Sequence, residues 1–586
     1  MVEDFRFVDG YQFTDEEEKK IRDEYGVEPM VINRLFARLN NLQGQEVQTR
    51  TKVNYRARSH DKQEKQTAEA LSALAMFIQD KNNSTHILSA VADDSRKCGL
   101  GWHRFDVVDG VIGEEAENPL FVVPDFRDMS KGMTNQRQVS RFYWMPRDEA
   151  KEDFPDATDI IDNASPQWTV SGLTEAHKAG AFRLTQSGCY YDQQTDEICI
   201  VEHFMRTPAE YYEVVTKDNR LVTTFSKTEA DGMARSKEDV TKRQGFKVSV
   251  VYFTGDQLLS HLDEEETYQL NPAKGLISLT PTVCFRERVS GCPYGLVRHA
   301  KDSQRSFNKT KTRLGWLRTA HQVIMEADAA DADKVRSEAA RPDGVLIVKA
   351  GKKLEINRHE QAIAQHQAGL VADDQDIQAT LGVFDESMGM ETNADSGIAI
   401  QRRQVGTSRN TASIIDNALA AKKRWAEKLL YLIQSVFTDQ VAFWVLDDKN
   451  EMKDLVLNQP VIGADGKPEI DKKTGKPVMK YDIKTGAFDV FVEEVPDVAS
   501  MREIGQERFM KAVQAAGGFQ NITPGYAMFF DVPENSKLMQ EIEAGLPQQL
   551  AAANTTAAEA GKGLASALTP APTPMAGGAT PVQQPK

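Results

Sequence analysis

No stretch of the chain approaches eighteen consecutive apolar residues, so no membrane-spanning helix is expected. The first twenty residues are acidic and lack the apolar core of a secretory signal, so none is read there. Cysteine is scarce. The five residues Cys98, Cys189, Cys199, Cys284 and Cys292 are odd in number and never spaced as CxxC, which points to free thiols in a reducing compartment. Positive charge is in deficit, with 71 Lys and Arg against 87 Asp and Glu and a formal charge of -16. A general nucleic-acid coat needs cationic surface and is therefore disfavoured, although a protein that encloses a nucleic acid without gripping it is not.

Catalytic signatures are also missing. Both GK pairs, Gly466-Lys467 and Gly475-Lys476, are followed by Pro, so neither supplies the hydroxyl and helix start of a phosphate loop. His359-Glu360 has Ile363 where a second zinc-binding His would stand. Gly99-Leu100-Gly101 follows a helical pattern and lacks the third glycine of a dinucleotide loop. No GxSxG element occurs, and the acidic pairs lack metal-ligand spacing. No catalytic residue, metal site or cofactor is expected, and the chain is read as a non-enzyme.

One feature stands against the acidic background. The run Cys292 to Thr319 opens on a turn, Pro293-Tyr294-Gly295, and continues without proline. Arg298, Lys301, Arg305, Lys309, Lys311, Arg313 and Arg318 are all basic, and Asp302 is the only acid. A long basic helix is expected, extending to about residue 340.

Around it the chain divides by pattern. Residues 1–28 are polar and read as a flexible segment, with Thr14 and Glu17 spaced as a capping box. Val31, Leu35, Leu39 and Leu42 have helical spacing with a stop at Gly44, and two more helices are expected at about 61–80 and 84–97. From residue 102 to 290 short apolar runs between Gly, Pro and Asp predict a mainly antiparallel sheet. Residues 341–358 read as a hairpin joining 345–348 to 353–356 about a Gly351 turn. Helix returns over 359–382. An acidic glycine-bearing stretch, 383–397, precedes the longest helical pattern, 398–446, which would span roughly 65–75 Å at about 1.5 Å per residue. A β-rich insertion (447–499), further helices (500–545) and a Pro- and Ala-rich disordered tail (546–586) complete the chain. The class is α+β.

This order of elements resembles the portal proteins of tailed bacteriophages, of the podovirus type. The strings that carry the likeness are Pro29-Met30-Val31-Ile32-Asn33 with Gly44-Gln45, Gly99-Leu100-Gly101-Trp102, the run from Asp148 to Pro155, and above all Tyr294 to Lys309. It covers about 25–540, leaving 1–24 and the tail without clear counterparts.

The resemblance implies a ring, usually of twelve subunits, at one capsid vertex, assembled in the host cytoplasm. Double-stranded DNA would pass through it without sequence-specific binding, and no membrane would be involved. The other partners implied are the major capsid and scaffolding proteins, the terminase ATPase and a tail adaptor. Residues 29–290 would hold the helical start and the β-rich wing, 291–340 the stem helix and 359–382 the second stem helix. Residues 341–358 would be the clip, docking through Val345, Ile347, Lys349, Lys352, Lys353 and Glu355. Residues 383–397 would be the tunnel loop facing DNA, with Asp385, Glu386, Met388, Gly389, Met390, Glu391, Thr392, Asn393 and Asp395. The long helix would run from pore to wing, and 500–545 would form the crown. The basic helix would face either neighbouring subunits or the duplex. The alternative is another ring-forming head–tail junction or minor capsid protein.

Overall fold

The computed structural model describes residues 1–494, apart from 165–189, 263–273, 389–396, 462–478 and the shorter stretches 49–50, 58–61, 109, 193–194, 217–220, 237–238, 340, 342, 438–440, 447–451, 482 and 484–487. The expected crown and tail lie outside the described residues.

The N-terminal segment is folded, against the expectation for 1–28. Helix α1 (Val2–Val8) buries Phe7 and Val8, and α2 (Asp15–Tyr25) carries the full reciprocal capping box of Thr14 and Glu17. Its polarity misled because the partner surface for its acids is distant in sequence, as described below. Helix α3 (Arg34–Gln48) runs through Gly44, an exposed interior position where glycine weakens a helix without ending it. Strand β1 (Thr51–Ala57) leads to α4 (Lys62–Asn82) and α5 (Ser84–Cys98), both as expected from their periodicity.

Two antiparallel sheets follow. The smaller joins β2 (Leu100–Val108) and β3 (Val111–Glu117) to β11 (Leu279–Val283) in the order β11-β2-β3. The larger has seven strands: β4 (Val122–Pro124), β5 (Gln138–Pro146), β6 (Tyr191–Asp192), β7 (Glu197–Val215), β8 (Leu221–Thr224), β9 (Val240–Thr254) and β10 (Gln257–Leu262). Residues 198–201 and 211–215 belong to one strand, β7, paired with β9 from Val201↔Phe253 to Val214↔Val240. Short helices α6 (Arg147–Asp153) and α7 (Thr158–Asp162) pack beside the larger sheet, and α8 (Lys227–Met233) follows β8.

The short pair β12 (Phe285–Arg286) and β13 (Pro293–Tyr294) introduces α9 (Val297–Thr319). That helix stops 21 residues before the expected end at 340. Ala320 is extended, β14 (Gln322–Met325) follows, and α10 (Ala332–Ala339) is separate. The hairpin at 345–356 is not formed either: β15 (Leu354–Asn357) pairs with β14, in the register Gln322↔Asn357 to Met325↔Leu354, and 345–348 is irregular. Both differences have one cause. A long-range strand partner supplies backbone hydrogen bonds that local pattern cannot report.

Helix α11 (Glu360–Leu381) and the 40-residue α12 (Gly397–Val436) match their expected starts. The latter ends ten residues early, because Val441–Leu446, rich in β-branched and aromatic residues, is a strand (β16) paired with β17 (Met452–Leu457). After the small pair β18 (Gln459–Pro460) and β19 (Met479–Lys480), β20 (Phe488–Glu494) pairs with β1. The core beneath it gathers Val53, Leu71, Leu74, Trp425, Leu429, Ile433 and Phe488. Cys98, Cys199 and Cys284 are buried free thiols, and Cys292 is exposed.

Candidate functional site

The site is built around α9. Its face toward the body carries Ala300, Phe307, Leu314 and Leu317, but Gln304, Asn308 and Thr312 share that face and are as deeply buried. They stand four residues apart, on successive turns. They answer an extended segment of the N-terminal chain: Met30 N–H donates to Thr312 Oγ1 (2.9 Å), Ile32 N–H to Asn308 Oδ1 (3.0 Å) and Arg34 N–H to Gln304 Oε1 (3.1 Å). Gln304 Nε2 returns a bond to the Ile32 carbonyl (2.8 Å), and Asn308 Nδ2 donates to Gln12 Oε1. The match is geometric. Four residues of helix rise about 6 Å and two residues of extended chain about 6.6 Å, so helix side chains at i, i+4 and i+8 meet every second N–H.

The outer flank of α9 carries the basic residues, and most are paired within the chain. Lys301 Nζ lies 2.7 Å from Asp4 and 3.2 Å from Glu3, Arg305 lies 2.9 Å from Glu3, and Lys309 lies 2.6 Å from Glu17. Lys301 and Arg305 also stand over the Phe7 ring. Arg298 reaches Glu287 at 3.7 Å and covers Tyr294. The two expected readings of this helix, duplex or neighbouring subunit, thus omitted the principal partner, the acidic N-terminus of the same chain. Among the described residues Lys311, Arg313 and Arg318 have no ion-pair partner, and the last two are exposed.

These pairs bear on pH. Burial alone would raise the Glu3 carboxyl, but Lys301 and Arg305 hold it below its ordinary 4.5, and Lys309 and the Thr14 N–H do the same for Glu17. A carboxyl with a depressed folded pKa adds stability above its unfolded value and loses it as pH falls through the folded one. Protection factors of the amides of residues 2–25, taken relative to the intrinsic exchange rate at each pH, are therefore expected to be lower below about pH 4 than at pH 7, and lower in high salt. Lys309→Glu should loosen the same segment by about 1 kcal/mol or less, since the pair is partly exposed. Unchanged exchange in both conditions would place the hold in the buried ladder alone.

Helix α11 packs antiparallel along α9. Ile377 and Leu381 meet Leu296, Val297 and Ala300 near one end, and Ser306 bonds to Asp373 farther along. Beyond α11, Val383 is buried and Asp385 begins a short 3-10 turn. Asp385 does not face solvent freely. Its carboxylate lies 3.0 Å from the guanidinium of the fully buried Arg38 and accepts from Gln378, while Arg38 also approaches Asp374 at 3.4 Å. Met388 packs on the core shared by α1, α3, α9 and α11. Of the other expected loop residues, Glu386 lies in the 3-10 turn, and Gly389, Met390, Glu391, Thr392, Asn393 and Asp395 lie outside the described residues.

At the opposite end of the helix pair, Val345 and Ile347 are 73% and 83% exposed, and Lys349, Lys352, Lys353 and Glu355 are exposed beside them. Glu355 lies on β15, which pairs with β14, while Val345, Ile347, Lys349, Lys352 and Lys353 lie in the connecting segment before it. No cluster of His, Cys, Asp and Glu able to hold a metal occurs among the described residues, and no helix among them is long and apolar enough to cross a membrane.

A family model described as phage P22-like portal protein matches residues 1–581. The chain belongs to that family. No curated protein matches it. Residues 1–24 and most of the tail, expected to lack counterparts, fall inside the family match, in keeping with α1 and α2 being built into the body. As a phage portal protein it forms a ring-shaped channel at a vertex of the virion capsid, through which double-stranded DNA is packaged and ejected. Capsid, terminase and tail proteins meet it there, and the family is structural rather than catalytic.

The residues missed by sequence reasoning are Arg38, Gln304, Asn308 and Thr312. A signal was present: each is polar yet sits at helical spacing among core positions, Arg38 between Leu35 and Leu39.

Proposed function

We propose that the seven-stranded sheet is the outer wing of the portal ring, that α9 and α11 are its stem, and that residues 320–358 are its clip. The support is the antiparallel α9–α11 pair, with the β14–β15 ribbon and the exposed Val345, Ile347 and lysines at its far end. The clip is thus larger than 341–358, since its second strand comes from 322–325. In this reading the clip meets the terminase ATPase during packaging and the tail adaptor afterwards. The ring has twelve subunits, assembles in the host cytoplasm and has no catalysis of its own.

Residues 383–397 form the tunnel loop in this reading. Its four acids and absence of bases suit a wall past which DNA must slide, since phosphate contacts would each add affinity. Asp385 is set apart as the acid that ties the loop to Arg38. Replacing Glu386, Glu391 and Asp395 together with Lys is expected to slow packaging several-fold while leaving rings intact. Normal packaging by that variant would remove the loop from the DNA path.

A further inference from the structure

Arg206, Arg424 and Lys428 line one cavity between the larger sheet and α12, beside Gln136, Gly275 and Pro281. Among the described residues no Asp or Glu lines it. None of the three cations forms an ion pair among the described residues, in a chain that carries sixteen excess negative charges. Buried charges are ordinarily paired, because removing an ion from water costs several kcal/mol unless a counter-charge or hydrogen bonds replace the solvent.

The nearby acids among the described residues are otherwise engaged. Asp128 accepts from the N–H groups of Ser130 (2.8 Å) and Asn135 (2.7 Å) and from Gln136, and Glu427 lies 2.6 Å from Lys274. The cations are only partly satisfied by neutral groups. Lys428 Nζ donates to the Leu279 carbonyl (2.7 Å) and Thr280 Oγ1 (2.8 Å), Arg424 donates to the Pro281 carbonyl (2.9 Å), and Arg206 stacks on Phe246. The buried Nε–H groups of Arg206 and Arg424 have no acceptor. Burial disfavours the charged form of all three, so each would gain from an anion.

We propose that this cavity binds a small inorganic oxyanion, phosphate in the cell, which ties the larger sheet to the long helix α12. Two guanidiniums and an ammonium suit a tetrahedral oxyanion, because each can donate to a different oxygen. The site is independent of the portal channel and does not rest on that reading.

The test is isothermal titration of the full-length protein with phosphate, with chloride at equal ionic strength as the blank. One phosphate per chain is expected, together with a rise in melting temperature that chloride does not reproduce. Arg206→Gln should weaken binding at least tenfold. Arg243→Gln, which touches only a surface pair with Glu213, should leave it unchanged. Should Arg206→Gln fail to fold, Lys428→Met serves the same comparison. No phosphate-specific heat or melting shift in the wild-type chain would overturn the proposal and assign the counter-charge to a carboxylate. Equal loss in Arg206→Gln and Arg243→Gln would overturn it too, by making the binding a surface effect.

Discussion

Gly295→Ala should destabilise the protein by more than about 3 kcal/mol and abolish assembly. Gly295 stands at the entry to α9, where the chain crosses the end of α5. A Cβ there would lie 2.2 Å from the Lys97 carbonyl oxygen and 2.5 Å from that of Arg96, both backbone atoms that no rotamer change can move. The crossing is close because Leu296 N–H donates to the Arg96 carbonyl (2.8 Å) and Cys284 N–H to that of Gly99 (3.0 Å). Gly99 faces the Tyr294 backbone in the same way and has φ of +101°, which other residues rarely adopt. Gly369→Ala is the contrast. That glycine lies within α11, where an added Cβ would meet nothing within 4 Å, so the change should stabilise by roughly 0.5–1 kcal/mol. Chemical denaturation decides between them, and Gly295→Ala within about 1 kcal/mol of wild type would mean the crossing is looser than described.

Asn308→Leu is expected to release the N-terminal segment from α9. Leucine is close to isosteric but leaves the Ile32 N–H, Gln12 and Gln304 without their shared partner. Unsatisfied buried groups cost about 1–3 kcal/mol each, so a total near 3–5 kcal/mol is expected. The effect should be local. Amides of residues 2–34 would exchange orders of magnitude faster, while the β7–β9 pairing keeps its protection. Uniform loss of protection across the chain would show the ladder to be part of the global core. Unchanged exchange in 2–34 would show the hydrogen bonds to be dispensable.

These residues also mark where sequence reading succeeded. Helices α4 and α5 were legible because each buries one face at the helical period and ends at an Asn or Gly signal, and α11 because its helix-forming run stops at Gly382. The strands of the larger sheet were legible from short apolar runs between turns. What was hidden depends on partners far along the chain. Polarity in residues 1–28 reads as solvation until Lys301, Arg305 and Lys309 are placed beside them. Gln322–Met325 reads as helix until Leu354–Asn357 pairs with it, and β1 has no visible partner before residue 488. Asp385 read as a free loop acid because Arg38 precedes it by 347 residues. Charge pattern alone separates neither a solvated acid from a paired one nor a DNA-facing base from a base that holds its own N-terminus.

The central claim is that this chain closes into a ring with an open channel. A ring needs two different complementary surfaces on each subunit, meeting head to tail until the rotation closes. Electron microscopy of the purified full-length protein tests it most directly. Closed rings of about twelve subunits are expected, with a central hole wide enough for duplex DNA and the α9–α11 pairs arranged around it. Monomers, open filaments or closed particles without a hole, under conditions where the chain is folded, would contradict it.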